Sequence, residues 1–345
     1  MRAVDLKVKA EIGTPASALY VNEHAAEPRD PGEDEAVVRV HAFGLNRMDI
    51  MQRQGQYPLP PGAPATLGVE FAGTVVRFGP KKHCHGDHLE EGDKVFGLVV
   101  GGAYAEYVTV SRFLLAKYAD SAVSFDDIAG VPETWFTATQ ALHMIAGVEE
   151  KRPQSVLVHA GASGVGIALI QIASLYADEI FATVGSPEKV QFVQSLGKSV
   201  GAKVTGICYR TEDFADVIKA ATNGRGVDVV VDFVGKDYFT RNIDVAAVEG
   251  RIVMLSLMSG REVYGVQLGP LLYKRLRIEG STLRARPLEY QIRLKDTFTR
   301  AVWPHLQSGK FKNPVDKVFS WHQVDKAHEY MESNQSTGKI LCLVD

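Results

Sequence analysis

Beyond residue 131, short apolar runs rich in β-branched residues alternate with stretches whose apolar positions follow a helical period. The runs predict buried strands and the stretches predict amphipathic helices. Predicted strands cover 155–159, 179–184, 203–208, 227–234, 251–257 and 277–281, and predicted helices include 165–176 and 187–196. Because elements that alternate in this way form parallel sheets with right-handed crossovers, this part predicts a doubly wound α/β domain.

The first 130 residues show shorter, partly alternating apolar runs bounded by Gly, Pro or Asp. Such runs predict strands, here over 36–46, 73–79, 93–102 and 104–110. Segment 57–68 contains four prolines and is predicted to be a loop.

The C-terminal part predicts one long amphipathic helix over 288–306 and a closing strand over 339–345. We therefore predict a β-rich domain of residues 1–130 and 285–345. A nucleotide-binding domain of residues 131–284 interrupts it.

Composition narrows the class of protein. A length of 345 residues, with 46% hydrophobic and 23% charged residues, fits a globular protein of about two domains. The net charge of −3 argues against nucleic acid as the main partner and against an anionic membrane surface. No apolar run approaches the ~20 residues of a membrane span. The few, widely separated cysteines (Cys84, Cys208 and Cys342) predict a reducing, cytoplasmic location.

A glycine cluster between a predicted strand and a predicted helix indicates a dinucleotide site (Gly161, Gly164 and Gly166). The N-terminus of such a helix receives a pyrophosphate. The next strand ends in Gly185 and Ser186, with Lys189 following, where an NAD site usually carries a carboxylate. Since a hydroxyl and an ammonium attract a 2′-phosphate, we predict NADPH rather than NADH.

Six ordered motifs carry a family likeness: LNRMDIMQRQGQYPLPPGA, LGVEFAGTV, VPETWFTATQALH, VLVHAGASGVG, RTEDF and AHEYMESNQSTGKI. Together they span most of the chain. The chain resembles the zinc-independent quinone oxidoreductase branch of the medium-chain dehydrogenase/reductase superfamily, which includes zeta-crystallin. Within this branch, it is most similar to the subgroup of quinone oxidoreductases whose expression is induced by a tumour suppressor in mammals.

The resemblance implies an α/β fold with a Rossmann doubly wound parallel sheet and a GroES-like, partly open β-barrel domain. It also implies a homodimer or a homotetramer, in which Rossmann sheets pair by their edges near residues 262–272.

The zinc branch of the superfamily has a Cys and a His where this chain has Asn46 and Val69. Neither side chain can replace a thiolate or an imidazole at zinc, so we predict a metal-free site. The expected acceptor accepts hydride readily: a quinone, with ortho-quinones favoured, or a related α,β-unsaturated carbonyl. With ortho-quinones the family also transfers electrons singly, and both courses stay open.

The resemblance implies two catalytic residues: Tyr57 as hydrogen-bond donor to the substrate oxygen, and Asn46 as an orienting amide. The alternative is that Asn46 satisfies a turn and Tyr57 packs on the proline loop. A tyrosine of the bacterial relatives is Met51 in this chain, which predicts a more apolar pocket.

The resemblance also implies cofactor contacts. Thr137 matches the residue that meets the nicotinamide carboxamide, although a helix-start threonine could simply cap its helix. Ser186, Lys189 and Tyr209 match the contacts of the 2′-phosphate. The predicted cofactor set is completed by Gly161, Ser163, Gly164, Val165, Gly185, Gly235 and Lys339.

The cluster of His83, Cys84, His85 and His88 allows a metal interpretation. Adjacent ligands cannot all point to one tetrahedral centre without strain, so a solvated loop is favoured and no metal is predicted.

Two alternatives to quinone reduction remain. The first is an enoyl-thioester reductase. The second is a zeta-crystallin-like RNA-binding or structural protein that retains the NADPH site.

Overall fold

The computed structural model describes residues 1–80, 88–118 and 125–345. In these residues the strands are β1 (Ala3–Leu6), β2 (Leu19–Asn22), β3 (Glu35–Gly44), β4 (Glu70–Phe78), β5 (Lys94–Leu98), β6 (Tyr107–Ser111), β7 (Leu115–Lys117), β8 (Ser155–Val158), β9 (Glu179–Val184), β10 (Lys203–Cys208), β11 (Val227–Asp232), β12 (Ala246–Met254), β13 (Arg277–Gly280), β14 (Val315–Ser320) and β15 (Lys339–Leu343).

The helices in the same residues are α1 (Arg47–Arg53), α2 (Phe125–Ile128), α3 (Pro132–Thr139), α4 (Gly164–Ala173), α5 (Pro187–Ser199), α6 (Phe214–Ala221), α7 (Lys236–Val245), α8 (Gly269–Tyr273), α9 (Leu288–Ala301), α10 (Trp303–Gln307) and α11 (Val324–Glu332). A π-helical segment, Gln140–Ile145, follows α3.

The chain divides into two compact units. The first unit comprises Met1–Phe136, Arg284–Thr299 and Asn313–Asp345, and the second comprises Thr137–Leu283 and Arg300–Lys312. The domain boundaries drawn from the sequence stay a prediction.

The second unit contains a six-stranded sheet in the order β10-β9-β8-β11-β12-β13. Every pair in this order is parallel. Numbered within the unit, the order is 3-2-1-4-5-6, which is that of a doubly wound dinucleotide-binding sheet. The predicted parallel sheet is confirmed.

Strands at the centre of this sheet are mainly apolar, as expected where both faces of a parallel sheet are covered. The four residues of β8, Ser155–Val158, are all buried. Strand order reverses between β8 and β11, so a crevice opens at the carboxyl ends of these two strands. We call this side of the sheet the carboxyl edge.

The first unit is built on a sheet in the order β14-β15-β3-β4-β5-β7, with β6 also paired to β3. Apart from the parallel pair β14–β15, its strands pair antiparallel. Its core is aromatic and aliphatic, and the largest buried side chains there include Phe43, Phe71, Tyr104 and Trp321. Tyr104 stacks on Phe43 with ring centroids 4.1 Å apart.

The predicted single helix over 288–306 is wrong. Helix α9 ends at Ala301 and α10 begins at Trp303, with Val302 between them. Pro304 lies in the first turn of α10. A proline within a helix lacks the N–H donor and its ring clashes with the preceding turn, so the chain starts a new helix here.

Candidate functional site

The glycine-rich turn after β8 lies at the carboxyl edge of the second unit. Ser163 precedes α4 and its hydroxyl accepts a hydrogen bond from the Gly166 N–H at 3.1 Å. A Cβ on Gly166 would lie 2.3 Å from the Ala160 carbonyl oxygen, and one on Gly161 would lie 2.9 Å from the Ala182 Cβ. Glycine is therefore required at both positions for the turn to pack closely against the sheet.

Gly164 and Val165 form the first turn of α4. The first N–H groups of a helix have no partner within it and suit a phosphate. Gly235 follows β11 with a φ of 83°, and the Asp232 carboxylate accepts hydrogen bonds from the Val234 and Gly235 N–H groups. Because β8 and β11 are neighbours, these predicted cofactor residues all lie at the carboxyl edge.

The predicted 2′-phosphate residues follow β9 and β10, which are also neighbours. A Cβ on Gly185 would lie 2.8 Å from the Tyr209 hydroxyl, so that phenol covers Gly185. The Ser186 hydroxyl caps α5 by accepting from the Lys189 N–H at 3.3 Å. The structure thus gathers Gly185, Ser186, Lys189 and Tyr209 in one place.

The sequence analysis missed Glu188 in this group. A hydrogen bond from Ser186 lowers the pKa of the exposed Glu188 carboxyl. A carboxylate is therefore present near the predicted phosphate site, although it follows the end of β9 by four residues. It opposes a phosphate that Lys189 would attract.

Thr137 lies inside α3, which begins at Pro132. It is therefore not a helix-start residue, and the alternative that it caps the helix is wrong. Its predicted contact with the nicotinamide stays a prediction.

A buried ion pair forms the centre of the candidate site in the first unit. The Lys339 ammonium lies 2.6 Å from Glu70 Oε1, and the two side chains are 3% and 0% exposed. Lys339 also donates to the Leu45 carbonyl at 2.8 Å and to Asn46 Oδ1 at 2.9 Å. Its three hydrogens thus have protein acceptors on Leu45, Asn46 and Glu70. Its direct contact with the cofactor stays a prediction.

Asn46 is fixed on both sides of its amide. Its Nδ2 donates to Glu70 Oε1 at 2.8 Å while its Oδ1 accepts from Lys339. Its backbone N–H donates to Asp49, which also accepts from the Tyr104 hydroxyl at 3.1 Å. Burial raises the pKa of Asp49 to about 6. The Asn46 amide therefore has one orientation. Asn46 both precedes α1 and contributes its side chain to a cluster of charged residues.

Tyr57 lies in the proline loop and is partly buried. Burial raises the pKa of its phenol, which stays protonated at neutral pH. The Arg284 guanidinium lies 5.5 Å from the Tyr57 ring centroid, a cation–π distance. Tyr57 and Gln52 also line a pocket of about 320 Å³ whose other walls are mainly apolar (Val4, Leu6, Val8, Leu19, Leu59 and Leu67).

Glu133 and Arg284 are further residues that the sequence analysis missed. Burial, followed by the neighbouring Glu70 charge, raises the pKa of Glu133 to about 8. The Glu133 N–H donates to Glu70 Oε2 at 2.8 Å. Glu133 stands in a quoted family motif and could have been singled out, whereas Arg284 has no sequence signal that separates it from a surface arginine.

Val69, where the resemblance implies a histidine ligand in the zinc branch, is 1% exposed and apolar. Within residues 1–80, 88–118 and 125–345, no group of three or more His, Cys, Asp or Glu side chains could hold a metal ion. Of the predicted histidine-rich loop, His83, Cys84 and His85 lie outside the described residues and His88 is exposed. The described helices include none that is long and apolar enough to span a membrane.

Two family models match the chain. The alcohol dehydrogenase GroES-like domain matches residues 32–120, and the zinc-binding dehydrogenase model matches residues 164–298. Quinone oxidoreductase 1 of Escherichia coli is 32% identical over 325 residues, which cover 92% of this chain and 93% of that protein. The low-reducing polyketide synthase drtA of Aspergillus calidoustus is 30% identical over 329 residues, and the match spans only 13% of the synthase.

Solved structures show the same fold. The E. coli quinone oxidoreductase complexed with NADPH has a TM-score of 0.82 and 28% identity, with 100% of both chains covered. The CurK enoyl reductase has a TM-score of 0.82 and 27% identity, covering 100% of this chain and 99% of that chain. The predicted fold class, a Rossmann sheet with a GroES-like domain, is confirmed.

Proposed function

Because this chain belongs to the zinc-independent quinone oxidoreductase branch of the medium-chain dehydrogenase/reductase superfamily, we propose that it reduces quinones by metal-free hydride transfer. The favoured acceptors are ortho-quinones, and related α,β-unsaturated carbonyls are included. Family membership confirms the resemblance read from the sequence and the predicted class of enzyme, an NADPH-dependent oxidoreductase.

The residues at the carboxyl edge fit a dinucleotide. Gly161 and Gly166 leave space that a Cβ would fill, and the first turn of α4 offers N–H groups for a pyrophosphate. Ser186, Lys189 and Tyr209 would hold the 2′-phosphate, and Gly235 would lie along the opposite side of the crevice. Bound NADPH supplies the hydride.

One observation supports the proposed chemistry: the Lys339–Glu70 pair holds the amide of Asn46, the residue at which the resemblance implies a cysteine ligand in the zinc branch. The acceptor must therefore react without a Lewis acid, as a quinone does because the anion that forms is delocalised. Asn46 keeps one orientation throughout, and the protonated Tyr57 phenol donates a hydrogen bond to the acceptor oxygen.

The test is steady-state oxidation of NADPH with 9,10-phenanthrenequinone as acceptor, with NADH as the matched control. We expect turnover with NADPH and a lower kcat/KM with NADH. Binding of NADPH without turnover of this quinone or of a wider quinone and enone panel would contradict the proposal.

A second candidate is reduction of an enoyl thioester, favoured by the likeness to the CurK enoyl reductase. Turnover of a crotonyl thioester at a higher kcat/KM than any quinone would select it. The third possibility, an RNA-binding or structural protein that retains the NADPH site, requires RNA to bind at physiological salt. The net charge of −3 does not favour that partner.

We also propose a cytoplasmic homodimer or homotetramer that pairs through residues 262–272. Tyr264, Leu268 and Leu272 are 80%, 69% and 72% exposed in one chain, which is unusual for apolar side chains close together in sequence. Sedimentation should give at least a dimer, and Leu272→Glu should shift it toward monomer.

A further inference from the structure

We propose that Arg284 binds the carbonyl oxygen of the acceptor through its Nη2 group, an inference that rests on the proposed function. Arg284 is 7% exposed. Its Nη2 atom is buried and has no hydrogen-bond partner within the described residues. Buried donors are almost always paired, so an unpaired guanidinium nitrogen beside a candidate catalytic residue indicates a ligand.

The guanidinium is held in place by its other nitrogens. Nε donates to the Val100 carbonyl at 2.6 Å, and Nη1 donates to Gln52 Oε1 at 2.8 Å. Because the guanidinium is planar and rigid, these two bonds fix the direction of Nη2. A Cβ on Gly101 would lie 3.1 Å from Nη2, so a larger residue at that position would crowd this nitrogen.

The neighbours of Arg284 suit a planar, apolar acceptor with a polar oxygen. The Arg284 guanidinium lies over the Tyr57 ring, and both Tyr57 and Gln52 line the largely apolar pocket. Asp49 and Glu133 also interact with its charge. Tyr57 and Arg284 would thus offer two donors, a phenol and a guanidinium, to one substrate.

The chemistry explains why a cation is useful. When the quinone gains a hydride, one oxygen becomes an anion, and a proton from water completes the hydroquinone. Arg284 keeps its own proton and donates a hydrogen bond that strengthens as the oxygen becomes charged. Interactions of this kind accelerate the reaction because they are stronger in the transition state than with the bound quinone.

The test compares Arg284→Met and Arg284→Ala with wild type. The matched control is Arg286→Met, two residues away, whose guanidinium lies over Tyr290. We expect Arg284→Met to lower kcat/KM for 9,10-phenanthrenequinone about a hundredfold, the effect typical of losing one oxyanion donor. The Kd for NADPH should not change, and guanidinium ion should restore part of the activity of Arg284→Ala. Unchanged kcat/KM in both variants would overturn the inference.

A binding measurement separates this inference from the proposed function and covers variants that fold poorly. 9-Phenanthrol, a stable analogue of the reduced acceptor, is titrated against folded wild type and Arg284→Lys in the presence of NADP⁺. We expect at least tenfold weaker binding to Arg284→Lys, since the ammonium of lysine does not reproduce the planar set of N–H donors of a guanidinium. If wild type turns over no quinone, the proposed function fails. If 9-phenanthrol binds both proteins equally, the inference fails whatever the turnover.

Discussion

Replacing Lys339 with Met should destabilise the protein by about 3–5 kcal/mol. Methionine keeps the length of the side chain but removes the ammonium that lies 2.6 Å from Glu70 Oε1. Among the described residues, the fully buried Glu70 carboxylate would keep the Asn46 amide and the Glu133 N–H as donors. A buried charge that loses its partner costs about 3–5 kcal/mol.

Coulomb attraction between the two charges predicts a similar loss of stability. Two unit charges about 4 Å apart attract by about 4 kcal/mol at an effective dielectric constant of about 20. The hydrogen bonds from Lys339 to Leu45 and Asn46 add to the loss, and relaxation of the site offsets part of it.

The assay is a double-mutant cycle by urea unfolding at neutral pH, with Lys339→Met, Glu70→Gln and the double variant. We expect the double variant to be more stable than the sum of the single losses predicts, by about 2–3 kcal/mol, because neither charge is left alone. Additive losses, or a loss below about 1 kcal/mol in Lys339→Met, would refute the reasoning. The double variant serves as the control for packing.

Three further predictions concern residues at the carboxyl edge and the Glu133 carboxyl. Lys189→Ala should weaken the binding of NADPH several-fold more than that of NADH, and Glu188→Gln should tighten the binding of NADPH. Direct titration measures both affinities, and equal effects on the two cofactors would contradict a 2′-phosphate contact. Glu133→Gln should remove a pH dependence of the free energy of unfolding. The Glu133 carboxyl has a pKa of about 8 in the folded protein, against an ordinary value of 4.5. Its contribution to stability is therefore complete below pH 4.5 and is lost as the pH rises through about 8. Unfolding free energies across that window would show parallel curves if this is wrong. Gly166→Ala should abolish NADPH binding because its Cβ would collide with the Ala160 carbonyl, whereas Gly280→Ala, with nothing within 4 Å, should bind normally.

Elements with a clear period were predictable from the sequence. The strands β8, β9 and β10 lie where the apolar runs predict them, since a strand of a covered parallel sheet carries mainly apolar residues. The break between α9 and α10 was missed because the apolar pattern continues through Pro304. Backbone chemistry decided the structure at that point, and the hydrophobic pattern did not.

The charged residues of the candidate site were harder to predict. Lys339 is 294 residues from the Leu45 carbonyl that it binds, and local pattern carries no information on such a contact. Arg284 and Glu133 are surface-type residues in sequence, and only the fold buries the arginine and partly buries the glutamate. By contrast, the hydroxyls of Ser163 and Ser186 each accept a hydrogen bond from the backbone N–H three residues later. Their positions before α4 and α5 therefore follow from the local sequence motif.

The charged groups around Asn46 compensate one another. A fully buried Glu70 carboxylate needs a cation nearby, because desolvation of an unpaired charge costs several kcal/mol. Lys339 supplies that cation through a covalent side chain, at 2.6 Å from the carboxylate and 2.9 Å from Asn46 Oδ1. The same ammonium orients the amide that replaces a zinc ligand and would repel a divalent ion placed beside it. Asn46, Lys339 and Glu70 therefore form an ordered polar cluster, which would suit the proposed acceptor because a quinone needs no Lewis acid.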